Sequence, residues 1–124
     1  MFDTPLAQHI DERGAFVELY KNEYGQVSFS TSKPGVTRGD HFHSRKHERF
    51  VVVSGYAIIR LRHIDSNVVH MYGVNGDNPT AIDIKPWHVH NITNVGESTM
   101  RLVIYCNEPY DPNDPDTINE RVEI

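Results

Sequence analysis

Three histidines and one glutamate, His41, His43, Glu48 and His90, are the residues of this chain whose types and spacing best suit chemistry. The first three sit in the run Gly35-Val-Thr-Arg-Gly-Asp-His-Phe-His-Ser-Arg-Lys-His-Glu48, with Gly55 following. Histidines at i and i+2 share one face of a β-strand. A glutamate five residues after His43 can return on the next strand of a hairpin. Imidazole nitrogens with one carboxylate suit a first-row metal that keeps an open coordination position. The spacing therefore predicts a metal site in a β-fold, and an enzyme.

The elements that must position these residues read as short strands. Apolar-rich or alternating segments run over 16–21, 26–31, 50–53, 56–59, 68–74, 81–84, 89–95 and 100–106. Gly25, Pro34-Gly35, Gly76-Asp-Asn-Pro79 and Gly96 punctuate them. Ser54-Gly55 lies between two apolar runs and signals a hairpin. No segment carries helical periodicity, so a barrel or jelly roll is expected. From residue 109 the chain is rich in Pro and Asp and reads as an extended, wrapping tail.

The bulk numbers fit one domain over residues 1–124, with 38% hydrophobic and 23% charged residues. A net charge of -5 argues against nucleic acid as a partner but leaves room for a local basic cluster. No apolar run reaches the ~20 residues of a membrane span. The start, Met-Phe-Asp-Thr-Pro, has no signal-peptide pattern, so a cytoplasmic protein is expected. Cys106 is the single cysteine and excludes an intrachain disulfide; within Leu102-Val-Ile-Tyr-Cys106 it reads as a buried, inert thiol.

The pattern Gly-x5-His-x-His-x4-Glu-x6-Gly from Gly35 to Gly55, with Pro86-Trp-His-Val-His90 downstream, resembles the two motifs of the cupin superfamily. The resemblance implies an all-β, single jelly-roll barrel holding a metal on His41, His43, Glu48 and His90. The second motif departs from the family pattern, because Trp87 and His88 stand where a glycine usually follows the proline. The spacing favours His90 over His88 as the ligand. His47 is expected to point away from Glu48's face, and His9, His63 and His70 read as structural.

A further pattern, Asp11-Glu-Arg13-Gly14-Ala-Phe16-Val-Glu18 with Arg38-Gly39-x-His41, resembles the dTDP-4-keto-6-deoxyhexose 3,5-epimerases. It implies diphosphate contacts from Arg13 and Arg38 and a nucleotide or loop contact from Glu18. That family uses the histidine matching His41 as a base and no metal, yet a ligated imidazole has no lone pair left for a base. Nearly the whole chain resembles the C-terminal cupin domain of CapF-type capsule-biosynthesis proteins. The agreement runs through Gly25-Gln-Val-Ser28, Thr37-Arg-Gly39, His41-x-His43, Lys46-x-Glu48, His90-Asn-Ile-x-Asn-Val-Gly96 and Asp114-Pro-Asp-Thr117. It implies a zinc-dependent epimerase at C3 of a UDP-2-acetamido-2,6-dideoxy-4-keto-hexose, a homodimer, and a separate NADPH-dependent reductase. No glycine-rich dinucleotide motif occurs in this chain.

Epimerisation α to a ketone needs stabilised enolate charge and groups that handle protons on opposite faces of the ring. His88 is a base candidate beside His90, Tyr105 an acid if it faces inward, and Lys46 a proton-handling or orienting group. Arg38, Arg60 and Arg62 could gather the diphosphate, the last two from one strand face. The same ligand set with iron, manganese, copper or nickel suits a cupin dioxygenase. A dTDP-sugar ketoisomerase and a non-catalytic sugar-binding module are the other readings.

Overall fold

Eleven strands in two antiparallel sheets make up the protein, seen in a computed structural model that describes residues 2–123. The strands are β1 (His9–Asp11), β2 (Gly14–Asn22), β3 (Gly25–Ser32), β4 (Thr37–Phe42), β5 (Glu48–Ser54) and β6 (Tyr56–His63). They continue with β7 (His70–Asn75), β8 (Ala81–Ile84), β9 (His88–Asn94), β10 (Met100–Cys106) and β11 (Ile118–Asn119). One sheet runs β1-β2-β3-β10-β5-β8 and the other β11-β4-β9-β6-β7. This is the expected all-β, two-sheet jelly roll. No helix among the described residues is long and apolar enough to cross a membrane.

The hairpin predicted at Ser54-Gly55 is corrected by the pairing. β5 pairs with β10 and β8, whereas β6 pairs with β9 and β7 in the opposite sheet. The chain turns a corner between sheets at Gly55, whose φ of 90° is in the left-handed region that glycine tolerates best. Apolar runs around a glycine look alike whether the strands pair or part. β4 has no alternation to betray it. Its Gly39 has φ 103°, Asp40 has φ 58°, and its register against β9 shifts between Gly39 and His41. A Cβ on Gly39 would stand 2.8 Å from the His90 carbonyl oxygen, so the close approach of β4 to β9 requires glycine. The two- and three-residue strands β11 and β1 were also too short to read from sequence.

Side chains from both sheets fill the core: Phe50, Val52 and Leu102 from one, Ala57, Ile59, Leu61 and Ile92 from the other. Burying each large aliphatic group contributes roughly 1.5–3 kcal/mol. The tail does wrap. Val122 is fully buried with Phe42 and Val89 on the outer face of the five-stranded sheet. Arg62 fastens it there, donating to the backbone oxygens of Arg121 and Val122 and pairing with Glu120 at 3.0 Å.

Candidate metal centre and its cavity

His41 and His90 face each other directly across the β4–β9 pairing, and His43 follows the end of β4 on His41's face. One potential ligand nitrogen from each of the three rings lies within 4.8 Å of the others. Glu48, the first residue of β5, reaches them from the opposite sheet rather than from a hairpin partner. Its Oε1 stands 3.0 Å from His43 Nε2 and 3.4 Å from His90 Nε2. The four residues that the motif singled out are thus together in space.

The placement of protons follows from the neighbours. His90 Nδ1 is 3.0 Å from the His88 carbonyl oxygen, and His43 Nδ1 is 2.7 Å from the Asp116 carbonyl oxygen. A carbonyl only accepts, so each Nδ1 is assigned the hydrogen and each Nε2 of the neutral ring keeps a lone pair. His90 Nε2 is buried and has no hydrogen-bond partner. Two Nε2 atoms whose rings commit Nδ1 to a carbonyl and a carboxylate oxygen therefore converge; without a metal, His43 Nε2 is hydrogen-bonded to Glu48 at 3.0 Å and His90 Nε2 is left unpartnered. A divalent cation satisfies that arrangement, and the residues fit a metal. Imidazole with carboxylate is compatible with zinc, manganese, iron or nickel.

Without a metal, the contact between His43 and Glu48 shapes the electrostatics. Burial pushes Glu48 up, but its hydrogen bond with His43 and the nearness of His90 at 3.4 Å outweigh it and hold the carboxyl well below its ordinary range. Burial opposes the charged form of His43 too, yet Glu48 leaves it raised overall. His41 is pushed down to about 4, first by burial and then by His90 and His43.

The cluster forms the buried end of a cavity of about 440 Å³, a size suited to a small ligand. Phe16, Leu102 and Ile104 supply apolar wall, while Gln26, Ser28 and Ser30 of β3 form a polar stripe. Arg13 and Arg38 also line it. Arg13 is exposed and held by Asp11 at 2.7 Å. Arg38 donates from Nε to Ser32 Oγ and from one terminal nitrogen to the Thr31 oxygen. Burial, then the charge of Arg13, lowers its pKa, which places two guanidinium groups in one neighbourhood. Glu18 lines the cavity and pairs with Lys21 at 3.3 Å. Lys46 is no solvated loop lysine: it is 5% exposed, lines the cavity, and carries its ammonium 5.7 Å from the Tyr110 ring centre.

Four residues expected at the site are not brought there. His88 lines a separate depression with His70, Tyr72 and Asp83. Tyr105 is exposed on the outer face of β10, since Leu102, Ile104 and Cys106 take the inward positions. Arg60 donates to Thr93 and lies 3.5 Å from Glu123, away from the cavity. Arg62 is buried under the tail it fastens. Cys106 is half-buried on the cavity wall rather than sealed in the core, and burial raises its thiol pKa. Glu108, Tyr110 and Thr117, to which the sequence assigned no role, line the cavity. The hints were the CapF-type resemblance, which runs through Asn107-Glu108 and Asp114-Pro-Asp-Thr117, and the tail's wrapping composition.

Residues 9–118 match the family described as the polysaccharide biosynthesis C-terminal domain. The UDP-2-acetamido-2,6-beta-L-arabino-hexul-4-ose reductase of Pseudomonas aeruginosa is 40% identical over 117 residues, covering 94% of this chain and 31% of that protein. The spore coat polysaccharide biosynthesis protein SpsL of Bacillus subtilis is 29% identical over 122 residues, 90% of this chain and 81% of that one. CapF of Staphylococcus aureus superposes with a TM-score of 0.93 at 43% identity, over 97% of this chain and 33% of that one. The chain thus spans about a third of the length of CapF and of the Pseudomonas reductase. An oxalate decarboxylase from Lactobacillus farciminis, 17% identical with a TM-score of 0.77 over 92% of this chain and 33% of its own, shares the fold. The chain folds as a cupin and belongs to the polysaccharide biosynthesis C-terminal domain family.

Proposed function

We propose that this chain is a metal-dependent epimerase that inverts C3 of a nucleotide-activated 4-keto-6-deoxy amino sugar, a UDP-2-acetamido-2,6-dideoxy-hexos-4-ulose, for capsule or O-antigen polysaccharide. The observation that carries it is the convergence of imidazole and carboxylate atoms, among them the buried and unpartnered His90 Nε2, on a cavity whose lining also holds two arginines. The sugar chemistry is supported by the relatives, which include a UDP-2-acetamido-2,6-beta-L-arabino-hexul-4-ose reductase and polysaccharide proteins of a spore coat and a capsule. Zinc is the metal we favour, held by His41, His43, Glu48 and His90. Bound there, it supplies a Lewis acid that favours negative charge on a carbonyl oxygen.

The chain's own residues do the rest. Arg13 and Arg38 take the diphosphate, since a planar guanidinium matches two phosphate oxygens. Glu18 meets the nucleotide side of the cavity. The C3 proton lies α to the C4 ketone, and its loss leaves charge on the ketone oxygen. Lys46, buried with its side chain on the cavity, is the group we assign to proton transfer on one face; return of a proton from the other face inverts the centre. The product keeps its ketone for a separate NADPH-dependent reductase, and the nucleotide-sugar substrate places the reaction in the cytoplasm. Val27, Phe29, Val51, Val103 and Tyr105 share the outer face of the six-stranded sheet by register, and we assign that face to a homodimer.

The test is incubation of zinc-loaded protein with the UDP-4-keto-6-deoxy-HexNAc in D2O, following C3 and C5 by NMR. Zinc-dependent deuterium uptake at C3, lost in His41→Ala, supports the reading. Uptake at C5 as well moves it to a 3,5-epimerase. Binding without exchange leaves a sugar-binding module, and neither binding nor exchange overturns the sugar-nucleotide reading.

A further inference from the structure

Asp116 occupies an unusual position. Its φ of 50° is in the left-handed region that few residues other than glycine visit. Its backbone oxygen accepts the Nδ1 hydrogen of His43 at 2.7 Å. Its carboxylate accepts from the backbone N–H of Ser44 at 3.0 Å, from Ser44 Oγ at 2.5 Å and from the backbone N–H of Arg45 at 2.9 Å. One tail residue therefore grips the ring of His43 and both residues that follow it.

The grip is local. The tail has other fastenings on either side: Arg45 to Glu108 at 2.8 Å and Asp114 at 3.0 Å, the β11–β4 pairing, and Arg62 on Val122. Removing the Asp116 carboxylate leaves these in place. What it removes is the set of bonds that keeps a strained backbone turned toward His43. A neutral imidazole carries its hydrogen on either nitrogen: on Nε2 it donates to Glu48 at 3.0 Å, and only with the hydrogen on Nδ1 is the Nε2 lone pair free for a metal. The carbonyl of Asp116 selects that form, and the carboxylate holds the carbonyl where it selects.

We propose that Asp116 is a positioning residue of the metal centre: by clamping the Ser44–Arg45 backbone it fixes the ring orientation and hydrogen placement of His43, and so sets metal affinity from the tail. The inference rests on the metal reading above. It concerns a residue outside the cavity lining.

The test uses the full chain, stripped of metal and titrated with zinc against a chromogenic chelator. Asp116→Gly relieves the backbone but deletes the clamp; Asp116→Asn keeps an acceptor oxygen and tolerates the backbone. Zinc affinity is expected to fall about 10–100-fold in Asp116→Gly and to stay close to wild type in Asp116→Asn. Ser44→Ala, which deletes one donor and keeps both backbone clamps, gives a smaller loss in the same direction. Long-range ¹⁵N correlation spectra of the metal-free protein should show a mixed His43 tautomer in Asp116→Gly alone. Wild-type affinity and an unmixed tautomer in Asp116→Gly would overturn the inference. Equal losses in the Asn and Gly variants would also overturn it, because charge and not the clamp would then be responsible. If wild-type protein binds no zinc, the metal reading itself falls and takes the inference with it; a zinc-binding wild type matched by Asp116→Gly sinks the inference alone.

Discussion

His88 and His90 stand two residues apart on β9, and their local chemistry is the same. Each assigns its Nδ1 hydrogen to a carbonyl two residues upstream, Pro86 for His88 at 2.9 Å and His88 for His90 at 3.0 Å. Their destinations differ. The ring of His90 meets His41 edge-on with centroids 4.7 Å apart, His43 at 5.5 Å, and the Glu48 carboxylate. The ring of His88 meets His63 at 5.2 Å, whose own Nδ1 accepts the Asp65 N–H. The candidate metal centre is therefore made by what other strands deliver to a histidine, not by the histidine's own turn. The sharpest way to break this comparison is to delete each ring. His90→Ala should abolish measurable zinc binding and C3 exchange, while His88→Ala should bind zinc as the wild type does. Equal losses would mean that the two positions on β9 are not separate.

The same contrast explains what the sequence conveyed and what it hid. The convergence of the candidate ligands was readable because the i, i+2 histidines, the glutamate and the downstream histidine form a fixed pattern that several strands must satisfy together. Tyr105 was not, because Leu102-Val-Ile-Tyr-Cys106 is apolar on both faces and alternation gives no parity. Arg60 and Arg62 were rightly placed on one face of β6, but Ala57, Ile59 and Leu61 hold the inner one. Tyr110 and Asp116 act through a tail whose path depends on contacts with β4 and β6 far away in sequence. Such contacts leave no periodic trace.

Lys46 on the cavity and Tyr105 on the outer face of β10 sharpen the comparison. Lys46→Met should slow C3 exchange about 10²–10⁴-fold, the usual worth of a positioned proton carrier, with zinc affinity retained. Tyr105→Phe should leave the rate unchanged, since its hydroxyl is on the outer face. A Lys46→Met protein that exchanges at the wild-type rate would remove the proton-transfer role.

His41 and His43 differ in sign. For His41, with a folded pKa of about 4, the unfolded chain binds more protons between its ordinary value of 6.5 and 4. Metal-free stability should therefore fall as pH drops through that window, by up to about 3 kcal/mol. His43 is raised, so its contribution is fully present below about 6.5 and is lost as pH rises through its folded value. Glu48, lowered, contributes above its unfolded value and loses that contribution only in strong acid. Urea unfolding of metal-free His41→Gln from pH 4 to 8 should show a flatter acid side than wild type. An unchanged slope there would assign the acid sensitivity elsewhere.

Ser30 and Ser32 repeat the β9 comparison on β3 at lower stakes. Both are 1% exposed, and the i, i+2 spacing puts them on one face. Ser32 Oγ accepts the Arg38 Nε hydrogen at 2.9 Å, whereas Ser30 Oγ, on the cavity wall, has no partner. A hydrogen bond to a charged group contributes about 1.5–3 kcal/mol, and a buried hydroxyl without one costs stability. Ser32→Ala should therefore lower the unfolding free energy and loosen Arg38. Ser30→Ala should leave stability unchanged or raise it slightly, while weakening KM for the nucleotide sugar severalfold if the free hydroxyl meets the ring's polar substituents. Were Ser30→Ala to destabilise the protein as much as Ser32→Ala, its hydroxyl would be a structural partner in solution, and the polar stripe of β3 would lose its claim to be read by the substrate.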